Sequence, residues 1–201
     1  MKIYDLELSG NCYKVRLLAA LLGIALDCHT VDLTRGEHKT PAFLALNPFG
    51  EIPVLVDDDL VLRDSQAITV YLARRFGGDH WLPTDPRELA LVMQWVSTAA
   101  NDVARGPNDA RLHDLFGYEL DVEAARERTK RLLALLDAHL AQRAWLELGR
   151  PTVADITVYP YVALAEQGGV ALAPYAAVRA WIERMQKLPG YIPMPGQFVA
   201  A

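Results

Sequence analysis

The chain has 201 residues, of which 52% are hydrophobic and 22% are charged, a balance that is typical of a folded globular protein and excludes an intrinsically disordered one. Its formal net charge of −5 and the lack of a Lys/Arg-rich run argue against a general nucleic-acid-binding protein. Two cysteines are too few for a disulfide framework, so a reducing, cytoplasmic setting is expected, and no apolar run approaches the roughly 18 residues of a membrane helix.

The first part of the chain alternates between strand and helix periodicities. Apolar residues three and four apart predict a helix over residues 12–22, which Gly23 ends. Two short apolar runs around the aspartates at 57–59 predict a hairpin. The predicted order is β-α-β-α-β-β-α, with strands at 3–6, 26–33, 53–56 and 60–62 and helices at 12–22, 40–46 and 65–76. Strands joined by a helix should be parallel with a right-handed crossover, and the hairpin should add an antiparallel edge.

A change of composition follows over residues 77–88. Two glycines end the preceding helix, and Asp85, Pro86 and Glu88 predict an N-cap, a first-turn proline and a capping box for the next helix. The rest of the chain is predicted to be helical, with helices at 88–105, 122–143, 152–166 and 176–187. We therefore predict an α/β domain over 1–78, a linker over 79–86 and an all-helical domain over 87–201.

The turn before the first helix contains two groups that could act on a thiol, Ser9 and Cys12. The first-turn N–H groups of a helix lack internal partners and stabilise an anion. Ser9 could donate a hydrogen bond to an external thiol and lower its pKa, whereas Cys12 could itself be the thiol. Taken alone, the turn favours a simpler interpretation, in which Ser9 caps the helix and Cys12 faces the core.

A second segment of interest is NPFGEIPVL, which begins at Asn47. If the bond before Pro53 is cis, it would turn the backbone groups of Ile52 outward, ready to pair with an extended peptide. Taken alone, this segment favours a trans proline that merely trims the start of a strand.

A third segment, RDSQAI, places Asp64 and Ser65 where a strand ends and a helix begins. Ser65 is the predicted N-cap, and Asp64 is predicted to interact with the helix dipole. The same residues could hold a ligand, with the helix start and the Ser65 hydroxyl on a carboxylate and Asp64 on an amine.

The three segments occur in one order and precede a helical region that opens with TVADITVYPYV. Together they resemble the glutathione S-transferase superfamily, particularly its serine-type members (theta, delta and zeta-like bacterial proteins), and the resemblance covers essentially the whole chain. It implies a thioredoxin-like first domain, an all-helical second domain and a cis bond before Pro53. It also implies glutathione as co-substrate, no metal, and a cytoplasmic homodimer with neither nucleic acid nor membrane as partner.

The resemblance further implies a site in which Ser9 donates a hydrogen bond to the glutathione sulfur. Cys12 and Tyr4 are the alternates, in that order. Cys12 ranks behind Ser9 because cysteine-type relatives place their thiol close to residue 9 or 10. The implied glutathione contacts are Asn11, His38, Lys39, Ile52, Pro53, Asp64 and Ser65. His38 is equally well interpreted as an exposed loop residue. Two departures from the family pattern weaken the contacts: Asp64 stands for a longer Glu, and Glu51 adds a negative charge near the glycyl end.

A pocket for a small, electrophilic and largely apolar second substrate is expected between the domains. The candidate lining residues are Arg105, Arg111, Phe116 and Tyr118. Thr152 and Asp155 form a capping box that the superfamily shares as a folding element, so both are expected to be structural. The expected activity is glutathione transfer. The alternatives are a glutathione-dependent isomerase, dehalogenase, lyase or peroxidase on the same fold, or a binding protein without turnover.

Overall fold

The computed structural model describes residues 1–197 and begins with a mixed four-stranded sheet. The strands are β1 (Lys2–Asp5), β2 (Asp27–Thr30), β3 (Val54–Asp57) and β4 (Leu60–Arg63). Their order is β2-β1-β3-β4, with β1 parallel to β2, and with β3 antiparallel to both β1 and β4. This topology confirms the predicted parallel β1–β2 pair and the antiparallel hairpin edge. The expectation that a helix joins parallel strands was wrong for β2 and β3, because β3 is antiparallel to β1 and therefore runs opposite to β2, although the helix at 41–46 joins them. The sheet with its helices is a thioredoxin-like unit.

Helices cover both faces of this sheet. They are α1 (Gly10–Leu21), α2 (Pro41–Leu46), α3 (Ser65–Leu72) and the short α4 (Gly78–Trp81), with a 3-10 turn at Glu37–Lys39 and a π-helical turn at Ala73–Gly77. Side chains alternate between the faces of a strand. Accordingly, Ile3 and Leu55 face the core shared with α1 and α3, while the neighbouring Tyr4 and Val54 face α2 and Phe43.

The second part of the described chain is helical, as predicted. It contains α5 (Pro86–Thr98), α6 (Asp109–Phe116), α7 (Val122–Leu140), α8 (Val153–Ala163) and α9 (Ala176–Gln186). A π-helical segment, Ala99–Asn108, joins α5 to α6 without a break. The predicted helix over 88–105 is therefore too long as an α-helix, and α6 was not predicted, because Gly106 and Pro107 resemble a helix end. Among residues 1–197, none of the helices combines the length and the hydrophobicity that a membrane span requires.

Helix α8 is the central element that joins the two parts. All of its residues are buried, and it packs against α1, α3, α5 and the π-helical segment. Its start carries the predicted capping box, in which Thr152 accepts from the Ala154 N–H and Asp155 accepts from the Thr152 N–H. The packing brings Tyr161 of α8 against the first turn of α1, at Gly10. Residues from the two parts of the chain thereby meet at one place.

Candidate functional site

A cavity of about 150 Å³ lies where the starts of α1 and α3 meet the helical part. The thioredoxin-like part lines it with Asn11, Lys14, Asn47, Glu51, Ile52, Pro53, Arg63, Asp64, Ser65 and Gln66, and the helical part lines it with Ala99, Ala100, Ala104 and Tyr161. Five residues predicted for glutathione are thus brought together. They are Asn11, Ile52, Pro53, Asp64 and Ser65.

The start of α1 forms one wall of the cavity. Ser9 is the N-cap, and its hydroxyl oxygen accepts a 3.3 Å hydrogen bond from the Cys12 N–H. Ser9 is half-buried and stands just before Asn11, which lines the cavity, although Ser9 itself does not. The Asn11 N–H donates to the Tyr161 hydroxyl at 3.2 Å, so α8 holds this turn in place.

Cys12 and Tyr4 are placed differently from Ser9. The Cys12 thiol is fully buried, and burial raises its pKa to about 12 even though a hydrogen bond with Ser9 opposes the shift. A thiol in this state is neutral at physiological pH and is not a nucleophile. Tyr4 packs edge-on against His29 and Phe43 on the α2 face of the sheet, away from the cavity lining. Burial argues against Cys12, and neither Tyr4 nor Ser9 lines the cavity, so a role for Ser9 stays a prediction.

The loop before β3 forms the opposite wall, and its Ile52–Pro53 bond is cis, as the resemblance implies. Asn47 shapes this loop, because its amide donates to the Glu51 carbonyl at 2.7 Å and accepts from the Phe49 N–H at 3.1 Å. A role for Asn47 was not predicted. The sequence feature that could have indicated it is the position of Asn47 before a proline, where a short amide side chain commonly caps a turn.

Lys39 and His38 lie beside this loop and outside the cavity lining. The Lys39 ammonium donates to the carbonyls of Phe49 and Gly50, at 3.3 and 3.1 Å, and so supports the loop. The Nδ1 atom of His38 is buried and has no hydrogen-bond partner among residues 1–197. A glutathione contact for either residue stays a prediction.

The start of α3 provides the floor of the cavity, and here the prediction of Ser65 as N-cap was wrong. Asp64 is the N-cap, and its Oδ1 atom accepts from the N–H groups of Gln66 and Ala67, both at 3.0 Å. The backbone of Asp64 adopts a φ of 73°, which is rare for a residue other than glycine. Such strained residues cluster at functional sites. Ser65 is consequently the first helical residue. Its hydroxyl lies 2.6 Å from the Gln66 side-chain oxygen, 3.3 Å from the Asn11 side-chain oxygen and 3.4 Å from the Lys14 ammonium.

Lys14 is the one fully buried charged side chain among the cavity residues, with 1% of its surface exposed. Its ammonium donates to the Asn11 side-chain oxygen at 2.9 Å and to the Ser65 hydroxyl at 3.4 Å, and it lies 5.5 Å from the centre of the Tyr161 ring. Burial lowers its pKa to about 8. Lys14 was not predicted for the site, although it lies three residues after Asn11 and therefore on the same helix face.

The four residues predicted for the second substrate do not line this cavity. Phe116 and Tyr118 are exposed, and Arg105 extends towards Asp109 at the surface. Arg111 is buried, donates to the Gln167 side-chain oxygen at 2.5 Å and stacks on Phe116 at 5.3 Å. The wall on this side consists instead of three alanines of the π-helical segment and of Tyr161. The alanines were missed because small residues carry no chemical signal in a sequence.

The cavity thus combines groups for both charges of a small peptide. Two helix starts and the Lys14 ammonium suit carboxylates, while the exposed carboxylate of Asp64 suits an amine. The alanine wall beside these polar groups is apolar. Such a site suits a zwitterionic ligand that lies next to an uncharged one.

Comparison with known proteins identifies relatives of this chain. Residues 8–75 match the family described as glutathione S-transferase, N-terminal domain, and residues 119–184 match its C-terminal domain. Glutathione S-transferase 3 of Zea mays is 34% identical and covers 97% of this chain and 96% of its own length. A crystal structure of glutathione S-transferase from Pseudomonas fluorescens has a TM-score of 0.90 at 32% identity, covering 96% of this chain and 98% of that one.

A further solved structure contains a ligand. It is a glutathione transferase from Pseudomonas putida, described with one glutathione disulfide bound per subunit. It has a TM-score of 0.82 at 25% identity and covers 94% of this chain and 87% of that chain.

Proposed function

This chain belongs to the glutathione S-transferase superfamily, and from this we propose that it is a glutathione transferase, which activates the thiol of glutathione for attack on a small, largely apolar electrophile. The observation that carries the proposal is the single cavity in which Asn11, Ile52, Pro53, Asp64 and Ser65 meet. These residues come from three separate segments of the sequence. Their meeting brings backbone, hydroxyl and carboxylate groups for a peptide ligand into one cavity.

Ser9 at the start of α1 is proposed as the group that acts on the glutathione sulfur, which makes this a serine-type member of the superfamily. A free thiol has a pKa of about 8.5, so only a small part is thiolate at neutral pH. A hydroxyl hydrogen bond and the positive end of a helix both favour the thiolate. Ser9 is the capping residue of α1 and stands beside Asn11 of the cavity, which supports this role.

The glutathione contacts are proposed to follow the geometry of the cavity. Asp64 caps α3 through Oδ1, which leaves Oδ2 for the ligand amine. Ile52 is proposed to pair its backbone with the cysteinyl part, and His38 and Lys39 to contact the glycyl end. Glu51 on the cavity wall opposes binding of that carboxylate.

The second substrate is proposed to lie against the apolar wall of the π-helical segment, next to Tyr161. Ala100 and Ala104 leave room there, and both belong to the helical part, as expected for a pocket between the two parts. Arg105, Arg111, Phe116 and Tyr118 are proposed to form the far wall of this pocket.

The proposal is tested with the purified chain, by calorimetric titration with glutathione and by conjugation of glutathione to 1-chloro-2,4-dinitrobenzene. We expect binding and turnover by the wild type, and weaker binding by Ser65→Ala. Ser97→Ala, which changes an exposed serine of α5, is the matched control and should behave as the wild type. Binding without conjugation of several electrophiles would favour an isomerase, dehalogenase, lyase or peroxidase, or a binding protein. Absence of binding would reject the proposal.

A homodimer is proposed as the functional form, in the cytoplasm. Phe49 is 58% exposed in the loop before β3, under the Arg63 guanidinium at 4.1 Å, and Leu60 and Val61 are exposed on the edge strand β4. An exposed apolar edge is usually covered by a partner. We expect light scattering to give a dimer that Phe49→Ser weakens, while Leu135→Ser, at an exposed leucine of α7, does not. A monomeric wild type would contradict this.

A further inference from the structure

Lys14 carries a charge for which the protein provides no ion-pair partner. Within residues 1–197, no carboxylate lies within 4.0 Å of its ammonium, and its two hydrogen-bond acceptors, the Asn11 amide oxygen and the Ser65 hydroxyl, are neutral. A buried and unpaired charge is costly, and proteins generally pair it or neutralise it. An ammonium has three donors, and two of them are used here. The third is available to a ligand.

The other titratable groups around Lys14 do not neutralise it. Cys12 on its own helix and Tyr161 on α8 are buried with raised pKa values, so both are uncharged. Asp64 attracts the ammonium from the start of α3, but it is exposed and its Oδ1 is used to cap that helix. Glu51 and Arg63, which also line the cavity, are exposed and opposite in charge. The floor of the cavity therefore keeps a positive charge.

We infer that Lys14 is a ligand-binding residue, which supplies the counter-charge for the α-carboxylate of the γ-glutamyl residue of glutathione. The inference rests on the proposed function. A carboxylate at the start of α3 that accepts from Ser65 lies next to the Lys14 ammonium, because these two groups are 3.4 Å apart. The γ-glutamyl residue carries its amine on the same carbon as this carboxylate. Asp64 adjoins Ser65 and is the acceptor for that amine.

This pairing makes the affinity for the ligand depend on pH. A bound carboxylate stabilises the charged ammonium, so the ligand binds the protonated form of Lys14 more tightly. In the free protein this form is lost above about pH 8. The affinity for the ligand should consequently fall as the pH rises, by up to roughly tenfold per pH unit, until binding to the neutral lysine dominates. An arginine at this position keeps its charge throughout this range.

The test uses S-methylglutathione, whose sulfur does not ionise, titrated into the wild type, Lys14→Met and Lys14→Arg at about pH 7 and 9.5. At neutral pH, Lys14→Met should bind at least about tenfold more weakly, whereas Lys14→Arg should stay within a few-fold of the wild type. From low to high pH, the wild type should lose about tenfold more affinity than Lys14→Arg. The ligand amine titrates alike in all proteins, and Lys187→Met, at an exposed lysine, is the control.

A second ligand separates charge pairing from damage to the site. In S-methyl-γ-aminobutyryl-cysteinyl-glycine the α-carboxylate is missing and the amine is kept. Wild type and Lys14→Met should bind it equally, since the pairing is absent from both. The inference would be overturned if Lys14→Met lost the same affinity for both ligands, or if it folded and bound S-methylglutathione as tightly as the wild type. Either result would leave the proposed function standing. If Lys14→Met does not fold, the pH comparison with Lys14→Arg decides. A wild type that binds neither ligand would instead reject the proposed function.

Discussion

The indole Nε1 of Trp181 donates a 2.9 Å hydrogen bond to Oδ1 of Asp155, which ties α9 to the capped start of α8. The same carboxylate accepts from the Leu146 N–H at 3.1 Å and from the Thr152 N–H at 3.0 Å. All four residues are buried. Asp155 is thus more than a helix cap, because it joins three segments of the helical part.

Asp155→Ala should therefore destabilise the protein by more than the loss of an ordinary cap. The substitution leaves several buried donors without an acceptor, which predicts a loss of about 3 kcal/mol or more in the free energy of unfolding. Urea unfolding followed by circular dichroism measures it. Trp181→Phe, which removes one donor and keeps an aromatic ring, should cost less. A loss below about 1 kcal/mol for Asp155→Ala would show that this hydrogen-bond network contributes little to the stability of the protein.

Ser9→Ala should separate binding from activation of the thiol. Loss of a hydrogen bond to a thiolate raises the pKa of the bound glutathione thiol, and conjugation should slow by about tenfold or more while glutathione binding is kept. The pH–rate profile and the ultraviolet absorbance of bound thiolate measure the shift. Cys12→Ala and Tyr4→Phe are the controls and should keep the pKa of the wild type. An active Ser9→Ala together with an inactive Cys12→Ala would assign the role to Cys12.

Part of the sheet topology was predictable because it depends on local patterns. The helix between β1 and β2 predicts a parallel crossover, and the turn at residues 57–59 permits only an antiparallel neighbour. The direction of β3 was not predictable in this way, because α2 joins β2 to a strand that runs opposite to it. The segments around Asn11, Ile52 and Ser65 were likewise recognisable as strand and helix ends. Their presence in one cavity follows from this topology together with the family resemblance.

The contribution of the helical part was not predictable, because it depends on contacts between distant residues. The hydrogen bond from the Asn11 N–H to Tyr161 joins positions 150 residues apart, and no local pattern indicates it. The continuous helical run from α5 to α6 was not predicted, because Gly106 and Pro107 resemble a helix end. In the structure Gly106 packs closely against Thr129 of α7, so packing rather than helix propensity maintains this segment.

Gly10→Ala should disturb the junction between α1 and α8. A Cβ atom at residue 10 would lie 2.6 Å from Cζ of Tyr161, closer than two carbon atoms can approach. We expect a loss of about 1 to 3 kcal/mol in stability, together with weaker glutathione binding, because the Asn11 turn must move. The double variant Gly10→Ala/Tyr161→Ala should lose less free energy of unfolding than the sum of the losses of the two single variants. Additive costs measured by urea unfolding would show that the two residues do not interact.

The last prediction concerns the stability of the free protein and its dependence on pH through Lys14. Below about pH 8 the lysine is protonated in both the folded and the unfolded chain, so its contribution to stability is constant. Between about 8 and the usual lysine value of 10.5, the folded protein has released a proton that the unfolded chain still holds, and the free energy of unfolding rises with pH. Relative to Lys14→Met, the wild type should gain up to about 3 kcal/mol across this interval.

Urea unfolding of both proteins, at several pH values from about 7 to 10, measures this difference. The buried thiol of Cys12 and the buried tyrosines, whose raised pKa values oppose stability in alkali, are present in both proteins and cancel. Lys187→Met, which removes an exposed lysine, should show a constant difference from the wild type. A constant difference for Lys14→Met as well would mean that burial does not lower the pKa of Lys14, and that its charge is stabilised in the folded protein without a ligand.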